Sequence, residues 1–317
     1  MKLPKSKRTQ EGEGMKEQSA MKLAWKNRAL YVLLAPAIVF YVVFCYIPMY
    51  GITIAFKDFM LSKGVLASPW VGFDHFQTLF ALDKFWSVFY NTFYINLLKI
   101  VWGFPAPLIL ALLLNEVRRM VFKRTVQTII YLPYFISWVT IAGIVTAFLS
   151  VEDGLVNKII LSFGGEKVNF LMRSDLFRPL LVVTSIWKEA GWGTIIYFAA
   201  ISSVPPELYE AAKIDGANRW KQMLHVTLPW IAPTISILLI LNFGSMMTGG
   251  FDQVFNLYNL AVYETGDVID TYMYRTGLVE GKFSLAAAVG LLLNIINFIL
   301  LVTVDRISKK INGTGIY

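Results

Sequence analysis

A chain of 317 residues that is 56% hydrophobic and only 16% charged, with a mean hydropathy of +0.57, is not composed like a soluble domain, which carries about a quarter charged residues. The shortage of charge means that much of the surface meets lipid. Lys and Arg outnumber Asp and Glu 29 to 21, for a net charge of +8. That balance could suggest nucleic acid, but the placement of the charges along the chain assigns the excess to a membrane surface. Cys45 is the only cysteine, so no intrachain disulfide can form. His75 and His225 lie far apart with no cysteine at ligand spacing, and no metal site is expected.

Residues 1–28 form a basic tail. Before Met15 it reads as disordered, and Met15–Arg28 reads either as an interfacial helix with Trp25 at headgroup depth or as more of the same disorder. The apolar run Ala29–Tyr50 is too long for a secretory h-region of about 7–15 residues, and is read as a first spanning helix. Crossing the hydrocarbon core takes about 20 apolar residues. Six stretches qualify: Ala29–Ile54, Trp86–Leu114, Val126–Leu149, Leu180–Ile201, Trp230–Met247 and Phe283–Val304. The expected fold is therefore all-α and polytopic with six transmembrane helices. Residues 29–310 form the membrane domain, and 311–317 a short C-terminal tail. Pro36, Pro48, Pro105, Pro107, Pro133 and Pro233 are tolerable where neighbouring helices re-satisfy freed carbonyls.

Orientation follows from Lys and Arg. With the N-terminus inside, the cytoplasmic segments hold 18 and the outer loops 9, while Lys99 and Lys188 fall within spans. Both termini are therefore expected in the cytoplasm. The basic excess then belongs to the cytoplasmic membrane surface, and nucleic acid is excluded as a partner.

The cytoplasmic loop Pro205–Trp220 is the most informative stretch. Pro205 and Pro206 end the fourth span and preset a new helix, with Glu207 in its first turn near the positive end of the dipole. Leu208, Ala211 and Ala212 share one face, and two alanines make a narrow helix that can enter a partner's groove. Asp215-Gly216 signals a turn in a conformation that favours glycine. A second short helix is expected from Ala217 to about Val226, closed by Leu228-Pro229 before the next span. On physical grounds alone, the segment is an amphipathic loop resting on the membrane.

Glu210-Ala211-Ala212, three residues, then Gly216, with Leu228-Pro229 twelve residues beyond, is similar to the cytoplasmic signature of binding-protein-dependent ABC importer permeases. Tyr46-Ile47-Pro48-Met49-Tyr50-Gly51, Trp187-Lys188 with Gly191 beyond, and Gly249-Gly250-Phe251-Asp252-Gln253-Val254-Phe255-Asn256 resemble the carbohydrate branch of that family. Within it they resemble the subgroup serving complex oligosaccharides, including uronate-containing ones. The resemblance spans roughly Ala29–Lys309. It implies a multi-pass protein of the bacterial cytoplasmic membrane that works with a second homologous permease subunit, a cytoplasmic ATPase dimer and an extracytoplasmic solute-binding protein. It further implies that the helix at Glu207–Gly216 couples to the ATPase. Glu210 and Asp215 would make polar contacts there, Ala211 and Ala212 the packing surface, and Gly216 the turn. No G-x-x-x-x-G-K-[ST] is present, so the chain is not expected to be an enzyme. ATP and Mg would be bound by the partner ATPase, with no cofactor in this chain.

A sugar pathway needs polar groups and aromatic faces inside an apolar bundle. The fourth span offers Trp187, Lys188, Glu189, Trp192 and Tyr197. Charged groups at mid-membrane cost about 2.5–3.5 kcal/mol on insertion scales and usually mark a pathway. Lys188 and Glu189 are about 100° apart on a helix and are not expected to share one narrow pore; a buried ion pair, with Lys99 among the possible partners, is the structural alternative. Asn242 and Ser245 in the fifth span, and Asn294 and Asn297 in the sixth, are further candidates. Each alone is more often an interhelical hydrogen bond. The acidic, aromatic outer loop Thr248–Lys282 could dock the solute-binding protein or simply cap the bundle. A secondary transporter for a small polar solute would need paired midplane carboxylates, and Glu189 is the only acid well inside a span. An intramembrane enzyme would need a nucleophile motif or metal ligands within the spans, and none is seen.

Overall fold

The structure, a computed structural model, describes residues 25, 27–248, 250–313 and 315–316. The expectations for the tail before Trp25, and for Gly249, lie outside those residues. The chain divides into two compact units, residues 1–53 and 54–317. In the first, α1 (Arg28–Tyr41) has no buried residue. A helix apolar all round is built for lipid or for the interior of a bundle. Trp25 is exposed, and the Arg28 guanidinium lies 5.6 Å from its ring centroid.

In the second unit the main helices are α2 (Asp74–Ala81), α3 (Asp83–Leu98), α4 (Pro105–Glu116), α5 (Met120–Tyr131), α6 (Trp138–Leu149), α7 (Leu155–Ser162) and α8 (Ser174–Ser202). Then come α9 (Pro206–Ile214), α10 (Arg219–Gln222), α11 (Leu228–Gly244), α12 (Phe251–Leu257), α13 (Ile269–Tyr274) and α14 (Phe283–Asn312). Among the described residues there is no β-strand, only an isolated bridge between Lys57 and Trp70. The protein is all-helical.

Four continuous helical runs are long and apolar enough to cross a membrane: Arg28–Phe56, Asp83–Glu116, Arg219–Gly244 and Phe283–Lys310. The expected third span is instead a bent pair, Met120–Phe135 and Trp138–Leu149, meeting at 105°. Pro133 starts a 3-10 turn there, Ile136 is extended, and Ser137 caps the next helix by accepting from the Thr140 amide at 3.2 Å. The expected fourth span lies within α8, 29 residues long, but α8 is outside the strongly apolar set. Its packing explains this. α8 buries Thr184, Ser185, Lys188 and Thr194 along with Phe177, Leu181 and Tyr197, so protein rather than lipid surrounds much of it and polar residues are admissible.

Three π-helical segments, Val42–Tyr46, Lys99–Gly103 and Met223–Thr227, each end two residues before a proline: Pro48, Pro105 and Pro229. A proline ring clashes with the carbonyl four residues earlier. Here those residues are Phe44, Val101 and His225, the centre of each segment. The wider turn makes room for the ring and lets the helix continue. This corrects the reading of Leu228-Pro229 as a break. α10, the π segment and α11 form one run from Arg219 to Gly244, ending short of the expected Met247.

The core lies in three clusters. One joins Ile95, Ile141, Phe177, Leu181, Val254 and Val268. Another joins Leu79, Phe85, Met247, Ile269, Val289 and Leu293. The third joins Ala111, Tyr197, Ile201 and Ile231. α12 and α13, in the segment expected to be an outer loop, thus share a core with the long helices rather than lying loosely over them.

Candidate functional site

α8 runs between α4 and α5, and two glycines set its distance from them. An ideal Cβ at Gly191 would fall 1.8 Å from the Ile130 carbonyl oxygen, and one at Gly193 would fall 2.9 Å from Pro107 Cβ. One turn before Gly191, Lys188 meets the break between α5 and α6. Its ammonium donates to the carbonyls of Tyr134 (2.9 Å), Ile136 and Pro133 (3.5 Å). It also lies 5.7 Å from the Tyr134 ring centroid and 5.5 Å from that of Trp138. The bend leaves the Tyr134 and Ile136 carbonyls to the buried ammonium, while the Pro133 carbonyl also accepts from the Ile136 amide at 3.2 Å. Lys188 is therefore held by backbone rather than by an acidic partner.

Around this bend opens a cavity of about 550 Å³, walled by α3, α4, α8, α11 and α12 and the π segment at Lys99. Of the residues expected in a pathway, Lys188, Glu189, Trp192, Tyr197, Asn242 and Ser245 line it. Trp187 and Asn294 do not. Trp187 is next to Lys188, hence about 100° round the helix, and is 45% exposed. Asn294 bonds the Gly290 carbonyl at 3.0 Å, and α14 supplies no residue to the wall. Asn297 instead accepts from the Met247 amide at 2.8 Å, joining α14 to the end of α11. Lys188 and Glu189 both reach the cavity, contrary to the expectation for adjacent residues, because the wall wraps around α8 rather than facing one side of it.

Sequence reasoning passed over Tyr134, Asn96 and Gln253. Tyr134 stacks on Trp192, with ring centroids 4.6 Å apart and planes at 6°. It lies inside the expected third span, whose residues read only as an apolar run. Gln253, within the Gly249–Asn256 motif, donates to the Leu181 carbonyl (2.7 Å) and Thr184 Oγ1 (2.8 Å), tying α12 to α8. Its Oε1 and the Tyr197 hydroxyl are buried without a partner among the described residues. Both residues line the cavity. Burying an unpaired polar atom costs about 1–3 kcal/mol, so these atoms suit a polar occupant.

The segment between α11 and α14 is tied to the bundle through Asp267, which is fully buried. It accepts from Arg275 Nη1 (3.0 Å) and Thr271 Oγ1 (2.8 Å), and Lys84 lies 3.0 Å away. Burial works against the Arg275 charge, but the hydrogen bonds and charge of Asp267 outweigh it and raise the guanidinium pKa above its ordinary value. Asn91 donates to the carbonyls of Glu264 (2.8 Å) and Asp267 (3.1 Å), and accepts from Arg178 at 2.7 Å.

On the other side of the sequence, α9 carries no buried residue. Glu207, Glu210, Ala211, Asp215 and Gly216 are exposed and Ala212 is half-buried. Asp215 is the C-cap, and Gly216 comes next at φ +76°, the left-handed conformation that ends many helices. Tyr209 Oη lies 2.9 Å from Thr227 Oγ1, which anchors the helix to the base of α11. Leu228 packs inward and Pro229 is exposed in α11, so this pair is apart from the α9 surface.

Long apolar helices around a polar, aromatic cavity, with a short exposed helix between two of them, define a multi-pass transport component. Residues 103–313 match the family described as binding-protein-dependent transport system inner membrane component. The chain belongs to that family: it is an inner-membrane transport subunit, not an enzyme. It is 44% identical to protein LplB of Bacillus subtilis, over 96% of this chain and 95% of that one. It is 46% identical to the B. subtilis polygalacturonan/rhamnogalacturonan transport system permease protein YteP, over 92% and 91%. It also superposes on a crystal structure of a bacterial ABC transporter involved in import of the acidic polysaccharide alginate, with TM-score 0.85, 40% identity and coverage of 92% and 99%.

Proposed function

We propose that this chain forms half of the translocation pathway of an ATP-driven importer for oligosaccharides, including uronate-containing ones. The observation that carries the reading is the cavity. It combines the Tyr134–Trp192 stack with amide and hydroxyl groups from Asn96, Asn242, Ser245, Tyr197 and Gln253. Sugars present apolar ring faces and many hydroxyls, and this wall answers both. The polygalacturonan/rhamnogalacturonan relative and the alginate importer support a sugar cargo that carries carboxylates. In a second structure of the alginate transporter, with TM-score 0.86, the complex includes an alginate pentasaccharide-bound periplasmic protein, which supports an extracytoplasmic solute-binding partner.

In this reading residues 29–310 are the permease domain between the cytoplasmic tails 1–28 and 311–317. They cross the membrane six times, with the bent pair and α8 each counting as one span and both termini cytoplasmic. α9 is the coupling helix. Glu207, Glu210, Ala211, Ala212, Asp215 and Gly216 meet a cleft in one subunit of a cytoplasmic ATPase dimer, which binds the ATP and Mg. A second homologous permease completes the pathway. Closure of the ATPase dimer moves α9, and α10 and α11 transmit the movement to the cavity wall as alternating access. The test is to purify the chain with its genomic neighbours and measure ATP hydrolysis in lipid with receptor and oligogalacturonate present. Stimulation by the sugar supports the reading; no response to any oligosaccharide, with the complex intact, defeats it.

A further inference from the structure

We infer that Lys99 is the residue that reads the carboxylate of an anionic sugar in this cavity; the inference rests on the oligosaccharide reading proposed for the chain. Three cavity residues carry charge: Lys99, Lys188 and Glu189. Lys188 is engaged by three backbone carbonyls at the α5–α6 bend. Its ammonium therefore serves the protein's own backbone. Lys99 differs. Among the described residues no hydrogen bond or ion pair engages its ammonium, although Glu189 and Asp270 are near enough to attract it. A cation kept in a spanning segment without a fixed partner is costly and calls for a functional reason.

The local backbone explains how Lys99 comes to be there. It opens the π segment Lys99–Gly103, widened to admit Pro105. The extra residue in that turn shifts the helical phase of α3 relative to that of α4. Asn96, Lys99, Ile100, Gly103, Phe104 and Pro107 all remain on the cavity wall across the bulge. Opposite, Gly250 at φ +118° leaves space: a Cβ there would sit 3.5 Å from Lys99 Nζ. With Lys188 committed to backbone carbonyls, Lys99 is the other cationic side chain on the wall. The Tyr134–Trp192 stack offers a face for a sugar ring in the same cavity, so one ring can lie on the aromatic pair while a carboxylate meets the ammonium.

The experiment uses the whole reconstituted complex with its receptor at saturation, and two cargoes: an oligogalacturonate as the free acid and the same oligomer fully methyl-esterified. The receptor has its own preference between them, but that preference is common to wild type and variants. The acid-to-ester ratio of maximal uptake, compared between proteins, therefore isolates the permease. Lys99→Met is expected to lower that ratio by about tenfold or more, the range of a lost charge-assisted hydrogen bond, and Lys99→Arg to restore most of it. Lys188→Met is expected to lower uptake of both cargoes together, leaving the ratio unchanged. Equal loss of both cargoes in Lys99→Met, or an unchanged ratio, overturns the role of Lys99 while the oligosaccharide reading survives. Wild-type complex that hydrolyses ATP yet takes up neither cargo overturns both.

Discussion

The carbonyl oxygen of Ile130 on α5 lies where any side chain at Gly191 on α8 would have to begin, 1.8 Å from an ideal Cβ. The two helices touch backbone to backbone at this point, which brings Lys188 against the α5–α6 bend. Gly191→Ala is expected to force the helices apart and cost about 3 kcal/mol or more, the upper range for overpacking. Gly193→Ala meets only the Pro107 ring and should cost about 1 kcal/mol. Thermal unfolding of the purified protein in detergent ranks the two, and equal midpoints would contradict this packing.

Lys188 donates to three carbonyls at the bend, of which Pro133's also accepts from the Ile136 amide. Lys188→Met leaves the Tyr134 and Ile136 carbonyls without this donor and is expected to destabilise the protein by about 3 kcal/mol, since each carbonyl left unpaired costs about 1–3 kcal/mol. Lys188→Gln retains an N–H₂ group and should recover part of the loss. A methionine variant as stable as wild type would show that the bend needs no cation.

Gly216 ends α9 at φ +76°, and no atom lies within 4 Å of where its Cβ would be. Substitution therefore meets backbone strain of roughly 1–2 kcal/mol and changes the surface offered to a partner, with no clash inside the chain. Gly216→Asp is expected to insert normally and yet lose sugar-stimulated ATP hydrolysis and at least tenfold of uptake. Normal uptake would separate α9 from coupling.

Asp267 is a buried acid among Lys84, Arg275 and Thr271. Breaking a buried pair by removing one partner costs about 3–5 kcal/mol. Asp267→Ala should loosen the outer loop, which limited proteolysis from the outer side would register as faster cleavage after Arg275. Unchanged cleavage would mean that the apolar core around Val268 and Ile269 suffices to hold it.

Trp192 supplies one face of the aromatic stack. Trp192→Ala should reduce uptake about fivefold, in proportion to an aromatic contact of about 1 kcal/mol, and Trp192→Phe should preserve most of it. Equal uptake by all three proteins would remove the stack from the pathway.

Much of the membrane architecture was legible in the residues. Four of the six expected apolar runs, and Pro206 and Gly216 around α9, act locally through helix geometry and solvent, and these are found where local chemistry puts them. Three features were not legible. The 105° bend at Pro133 reads as an ordinary apolar run, because nothing in the run announces that Lys188, more than fifty residues on, will satisfy the freed carbonyls. Leu228-Pro229 reads as a break, because the π turn that admits Pro229 is a property of the packed helix and not of the dipeptide. Trp187 and Asn294 look as polar or aromatic as their neighbours; the direction of the wall around α8 excludes the first, and the absence of α14 from the wall excludes the second.

The sequence by itself determined that this chain lives in lipid, which segments are helical and where a short helix stands free between two of them. Those outcomes depend on burial, hydrogen bonding and backbone freedom over a few turns. The tertiary structure alone decided which of the two cavity lysines is held by backbone carbonyls. That choice depends on where carbonyls of one helix meet the side chains of another, and no periodicity along a single helix encodes it.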